Sequence, residues 1–128
     1  MSSEIPSDLR FAKSHEWVRV EGNVAVIGIS DHAQAELTEL VFVELPEADR
    51  TVEAGESCAV VESVKTASDI YAPVGGTITA CNDALGDNPG LINESPYTEG
   101  WLFKIEMTDA SQVDALLTAD QYAAQIGG

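Results

Sequence analysis

Lysine is scarce in this chain: among 128 residues there are three, Lys13, Lys65 and Lys104. Lys65 sits in the segment Glu62-Ser63-Val64-Lys65-Thr66-Ala67-Ser68-Asp69, with Gly55 ten residues before it and Gly75-Gly76 ten and eleven after. A strand running from each glycine to a common turn lifts Lys65 to the tip of a hairpin. An amine there is exposed, remote from core packing and accessible to a modifying enzyme, the geometry wanted for a covalently attached swinging arm. Two other readings stand beside it. A lysine at a turn is ordinarily a solvated charge, and a buried lysine with a depressed pKa forms Schiff bases. Against the last, Glu62 and Asp69 favour the ammonium form, and no glycine loop is present to cradle a pyridoxal phosphate.

The remaining chemistry-bearing residues form no constellation. Cys58 and Cys81 are 23 positions apart, without a C-x-x-C pair. His15 and His32 add no ligand spacing, so neither a disulfide nor a zinc site is expected. Both cysteines read as inert buried thiols among apolar neighbours, and the histidines as capping or packing residues. No catalytic residue and no metal ligand is assigned.

Charge narrows the partners. With 22 acidic residues against 6 basic ones, the formal net charge is -16. That excludes nucleic acid, which needs Lys and Arg to displace phosphate counterions, and disfavours anionic lipid. No apolar run approaches the ~20 residues of a membrane helix. The opening Met1–Arg10 has neither a signal-peptide pattern nor transit-peptide composition. The expected compartment is the cytoplasm, or the mitochondrial matrix for a processed organelle protein. At 45% hydrophobic the chain can bury a core, and its length fits one domain over 1–128.

The elements that must position Lys65 read as mainly β. Trp17–Glu21 and Val24–Ile29 are strand runs joined at Gly22-Asn23, a tight hairpin. Ser30 or Asp31 caps a short helix over His32–Leu37, and Leu40–Leu45 is a strand expected to be buried on both faces. Thr51-Val52, Ser57–Val64, Ala67–Ala72 and Gly76–Cys81 are short strands punctuated by glycine and proline, the signature of a small sandwich or barrel. They frame a hairpin core over about 51–82. Residues after Asn82 read as loop with short turns until a final strand, Trp101–Met107. Helices follow over about 109–127, with Ser111-x-x-Asp114 and Thr118-x-x-Gln121 as caps and Gly127-Gly128 as the stop. Trp17, Phe42, Trp101 and Phe103 are expected in the core.

The sequence resembles the H proteins of the glycine cleavage system. The resemblance spans almost the whole chain. It is carried by Ser14-His15-Glu16-Trp17-Val18, Gly28-Ile29-Ser30-Asp31-His32-Ala33-Gln34, Val41-Phe42-Val43-Glu44-Leu45-Pro46 and Val61-Glu62-Ser63-Val64-Lys65. Pro73-Val74-Gly75-Gly76 with Asn82, Gly90-Leu91-Ile92-Asn93 and Gly100-Trp101 continue it. Biotin carriers typically flank their lysine with Met, whereas Val64 and Thr66 flank Lys65. Lipoyl domains of the dehydrogenases usually place Asp before the lysine, are shorter, and lack the Ser-His-Glu-Trp segment.

The resemblance implies a barrel-sandwich hybrid of the lipoyl/biotinyl-carrier (hammerhead-like) type, with short peripheral and C-terminal helices. It implies lipoic acid in amide linkage to Lys65, on a non-catalytic carrier that shuttles the aminomethyl group of glycine. The partners implied are glycine decarboxylase, aminomethyltransferase, dihydrolipoyl dehydrogenase and the lipoylating enzymes. Ser14, Glu16 and Asp69 correspond to residues that hold the loaded arm, and Glu62 and Gly76 to residues that the lipoylating enzymes recognise. A monomer is the default for a carrier presenting one tip to several enzymes. The rival functions are a lipoyl or biotinyl carrier for another complex and an unmodified scaffold of the same fold.

Overall fold

The computed structural model describes residues 6–126; the stop expected at Gly127-Gly128 lies outside the described residues. In chain order, β1 (Arg10–Phe11), β2 (Glu16–Glu21) and β3 (Val24–Ile29) precede α1 (Asp31–Leu37) and β4 (Leu40–Glu44). Then come β5 (Thr51–Val52), β6 (Ser57–Ser63), β7 (Ala67–Tyr71) and β8 (Gly76–Cys81). Two short helices, α2 (Ala84–Asp87) and α3 (Leu91–Glu94), lead to β9 (Phe103–Met107). A 3-10 helix (Ala110–Ala115), β10 (Leu117–Thr118) and α4 (Ala119–Ile126) complete the described chain.

The strands form two unequal antiparallel sheets, a seven-stranded one in the order β10-β1-β2-β3-β9-β8-β5 and a three-stranded one in the order β4-β6-β7. This is the mainly β barrel-sandwich expected from the sequence. The β2–β3 hairpin closes at Gly22-Asn23 with Glu21 paired to Val24, and Gly22 takes the positive φ (+64°) that such a two-residue turn needs. Strand alternation gives the large sheet two apolar faces. Val18, Ala25 and Ile27 turn inward to the main core with Val61, Ile70, Ile78 and Ile105. Trp17 and Val26 turn outward to a second core with Phe11, Tyr97 and Tyr122. The two short strands β1 and β10 pair with each other, Arg10 opposite Thr118, which brings α4 onto that outer face.

Ser30 caps α1, its Oγ accepting from the Ala33 N–H at 3.1 Å. Thr118 and Gln121 form the reciprocal capping box of α4, with bonds of 2.9 and 3.2 Å. The 3-10 helix is capped by Asp109 rather than Ser111; the Asp109 carboxylate accepts from the Ser111 N–H at 3.0 Å. Residues 82–100, expected as loop with turns, contain α2 and α3. Each is a single turn held down by one buried side chain, Leu85 and Ile92.

Strand β4 is not buried on both faces. A bulge between Leu40 and Phe42 shifts its register against β6. Leu40 and Val43 point inward and Val41 and Phe42 both reach solvent, each 50% exposed. The extra residue of a bulge breaks the two-residue alternation, so Phe42 leaves the core expected for it. Trp17 and Phe103 are fully buried, while Trp101 is half-buried beneath the Lys104 amine, 5.1 Å from the ring centre.

Candidate functional site

Strands β6 and β7 pair as far as Glu62 opposite Ala67, leaving Lys65 in the turn that joins them. Ser63, nearly buried, builds that turn. Its N–H donates to the Thr66 carbonyl at 2.7 Å. Its Oγ donates to the same carbonyl at 3.2 Å and accepts from the N–H groups of Lys65 and Thr66, each at 3.2 Å. The Val64 N–H donates to the Glu39 carbonyl at 3.1 Å, tying the tip to the approach to β4. The backbone at Lys65 is thus fixed from two sides. Its side chain is exposed, and among the described residues no hydrogen bond or salt bridge holds its amine. Ser63 is the residue that braces the Lys65 turn, and the sequence motifs do not single it out. Its signal was a serine two positions before the lysine, placed to make the side-chain turn of a Ser/Thr motif.

Beside the hairpin, β7, α1 and the 12–16 loop enclose a small cavity of about 140 Å³ lined by Ser14, His15, His32, Glu36, Ser68 and Asp69. Ile29, Leu37 and Ile70 supply its apolar part. Asp69 lies four residues along β7 from Lys65, about 13 Å at the rise of a β-strand. A long arm rooted at Lys65 therefore has this cavity within range. A larger open groove of about 600 Å³, between Glu39–Val41 and the Asn88–Glu94 segment, contains no residue of the Lys65 turn and none of the expected site residues.

The structure brings Ser14 and Asp69 together on the cavity wall, and places Glu16 behind Ser14. The Glu16 side chain is fully buried. Its Oε1 accepts the Ser14 hydroxyl and its Oε2 accepts the Tyr71 N–H at 3.0 Å, so the carboxylate ties β2 of the large sheet to β7 of the small one. Burial pushes the Glu16 carboxyl above the usual carboxylate range, with the bonds from Ser14 and Tyr71 pulling the other way. Glu62 is exposed on β6, three residues from Lys65. Gly76 is in the other sheet, paired with Val52 and Met107. Its φ is +155°, and a Cβ there would lie 2.0 Å from the Glu106 carbonyl oxygen. The close approach of β8 to β9 alone demands glycine at that position.

His15 also takes a positive φ, +81°. Its ring is 5.2 Å from that of His32, whose Nε2 is 3.9 Å from Glu36. Burial, and secondarily His32, hold the His15 imidazole below its ordinary pKa. Among the described residues no three His, Cys, Asp or Glu side chains cluster as metal ligands. Both cysteines are free; burial pushes the Cys58 thiol up to about 12 and raises that of Cys81, so neither is a ready thiolate. The arrangement offers an accessible amine on a rigid tip and, within range, a small hydroxyl- and carboxylate-lined cavity. The first can be acylated, and the second can receive a small cationic head at the end of a tether.

The family model for the glycine cleavage H-protein matches residues 9–127. The glycine cleavage system H protein of Alcanivorax borkumensis is 60% identical over 124 residues, covering 97% of each chain. That of Acidiphilium cryptum is 56% identical over 118 residues, covering 92% of this chain and 95% of the relative. The crystal structure of a glycine cleavage system H protein from Mycobacterium marinum superposes with a TM-score of 0.90 at 43% identity, covering 97% of this chain and 100% of that one. Among the described residues no helix is long and apolar enough to cross a membrane.

Proposed function

The chain belongs to the glycine cleavage H-protein family, and from that premise we propose that Lys65 is the residue on which it carries its cargo. Its function is that of the lipoyl carrier of glycine cleavage, shuttling the aminomethyl group of glycine from the decarboxylase to the aminomethyltransferase. Lipoate held in amide linkage by Lys65 would supply a disulfide able to accept the aminomethyl group. The protein itself contributes placement. A turn braced by Ser63 and Glu39 presents one exposed amine, and the amide linkage removes that amine's charge. Tethering then keeps the reactive head at high effective concentration for each enzyme it visits.

Ser14 and Asp69 receive the cationic head, the Asp69 carboxylate as charge partner and the Ser14 hydroxyl as hydrogen-bonding partner. Glu16 acts from behind, accepting the Ser14 hydroxyl and so orienting it. Glu62, exposed beside the target, is the charge by which a lipoylating enzyme singles out this lysine from the other two. Gly76, eleven residues after the lysine, is the second feature that the lipoylating enzymes recognise, and it keeps β8 close against β9. The partners are glycine decarboxylase, aminomethyltransferase, dihydrolipoyl dehydrogenase and the lipoylating enzymes; the carrier works as a cytoplasmic monomer and performs no catalytic step of its own.

The single observation that carries this reading is the free Lys65 amine on its fixed turn. Intact-mass measurement of protein isolated with its native lipoylating enzymes is the test. The expected result is one lipoyl mass, lost in Lys65→Arg with the circular-dichroism spectrum unchanged. A biotin mass, no added mass on the native protein, or a lipoyl group on Lys13 or Lys104 overturns it.

A further inference from the structure

Two of the cavity's three walls come from separate parts of the chain. One is the 12–16 loop, with Ser14 and His15; the other is α1, with His32 and Glu36. Both meet at one hydroxyl on the C-terminal helix. The Tyr122 OH is 2.7 Å from His15 Nδ1 and 2.6 Å from Ser30 Oγ, the same oxygen that caps α1 by accepting from the Ala33 N–H. The Tyr122 ring is fully buried and stacks on Phe11 at 4.5 Å, so the hydroxyl has little freedom to move. A second contact from α4 runs the same way, Gln125 Nε2 donating to the Lys13 carbonyl at 3.0 Å. His15 needs such support, because a non-glycine residue at φ +81° is held by its surroundings.

We propose that Tyr122 is a positioning residue for the arm cavity, its hydroxyl locking the His15 loop to the N-terminus of α1 so that Ser14 keeps its aim. The tyrosine never touches the cargo. It acts through His15 on the neighbouring Ser14, and through Ser30 on the helix that carries His32 and Glu36. The inference rests on the reading that this cavity receives the loaded head, and the experiment separates the two.

Tyr122→Phe keeps the stacked ring and removes only the hydroxyl. In the unmodified protein, the His15 ring resonances and their pH titration are followed by NMR. The groups facing that ring are Tyr122 from α4 and His32 and Glu36 from α1, with Asp69 of β7 on the wall of the same cavity. The expected result is a displaced His15 titration, with the backbone amide resonance of the distant Glu62 unmoved. In the lipoylated, aminomethyl-loaded protein, the lifetime of the loaded state is read by mass spectrometry. Misalignment of the one hydrogen bond from Ser14 to the head predicts a lifetime shortened about fivefold. Ile78→Val, in the buried centre of β8, is the control for lowered melting temperature alone and is expected to keep the wild-type lifetime. Should Tyr122→Phe prove unfolded at the assay temperature, Gln125→Ala removes the other, exposed hold of α4 and is expected to shorten the lifetime in the same direction. Wild-type lifetime in the α4 variants while Asp69→Asn shortens it overturns the role of Tyr122 and leaves the cavity reading standing. Wild-type lifetime in all of them overturns both.

Discussion

The Tyr71 backbone N–H donates to Oε2 of Glu16 at 3.0 Å, and this bond joins the two sheets. Glu16 stands in β2 and Tyr71 in β7, the strand that descends from the Lys65 tip. The other oxygen of the same carboxylate accepts the hydroxyl of Ser14, which faces the cavity. One buried side chain thus sets both how the hairpin leans on the larger sheet and where the cavity's hydroxyl points.

Truncating that side chain should cost stability. Glu16→Ala leaves the Tyr71 N–H without its acceptor, and the expected loss is about 1–3 kcal/mol in urea unfolding at pH 7. Glu16→Gln keeps an acceptor for Tyr71 and places an amide donor against the Ser14 oxygen, so it is expected to stay near wild type.

The same pair of variants carries a pH signature. Burial raises the folded-state pKa of Glu16 above 4.5, so the folded protein holds this proton more tightly than the unfolded chain. Its contribution is fully present below pH 4.5 and is lost as pH rises through the raised value. The stability of Glu16→Gln relative to wild type is therefore expected to increase over that window in urea midpoints measured from pH 4 to 8. Parallel curves would show that Glu16 titrates alike in both states.

Asp69 is exposed and Glu16 is buried, so substitutions at the two positions test the proposed hold on the cargo separately. Glu16→Gln combined with Asp69→Asn is expected to shorten the lifetime of the loaded carrier measured by mass spectrometry, with Asp69→Asn alone accounting for the greater part. An unchanged lifetime in the double variant would sink the assignment.

Ser63→Ala tests the turn. The Ser63 hydroxyl is buried, but the Lys65 and Thr66 residues whose N–H groups it accepts are exposed and can turn to water, so the global cost is expected to be about 1 kcal/mol. Amide hydrogen exchange at Lys65 and Thr66 should accelerate, and lipoylation in vitro should slow. Ser63→Thr, which keeps a hydroxyl, is expected to restore both.

Cys58, buried and with its pKa pushed up to about 12, is expected to resist a thiol-specific disulfide reagent at pH 8 until the protein is unfolded. Rapid stoichiometric labelling of Cys58 in the native state would contradict its placement in the core.

Much of this was legible in local pattern. The β2–β3 hairpin followed from two β-branched runs around Gly22-Asn23. A cap of α1 at Ser30 or Asp31, of which the structure selects Ser30, and the capping box of α4 at Thr118 and Gln121 followed from side chains that bond their own neighbouring backbone. Such features are settled within a few residues. The two-residue strands β1 and β10 were not legible, since their pairing joins residues about as far apart in the chain as it allows and neither is long enough to show a period. The half-exposed Phe42 was missed because a bulge is a relation between two strands, invisible in either one alone.

Spacing along the chain is enough to place Lys65 at an exposed tip. With three lysines in the chain, and one of them midway between two glycines and framed by strand runs, the hairpin tip at Lys65 is written in spacing, and the family segments around it name the cargo. Tertiary packing alone tells the two carboxylates near that tip apart. Glu16 and Asp69 are both acids in strands and look alike in the sequence. Packing of the two sheets buries the first against Ser14 and Tyr71 and leaves the second on the cavity wall. The difference arises because burial is a property of what lies across from a residue, and what lies across from Glu16 comes from 55 residues further along the chain.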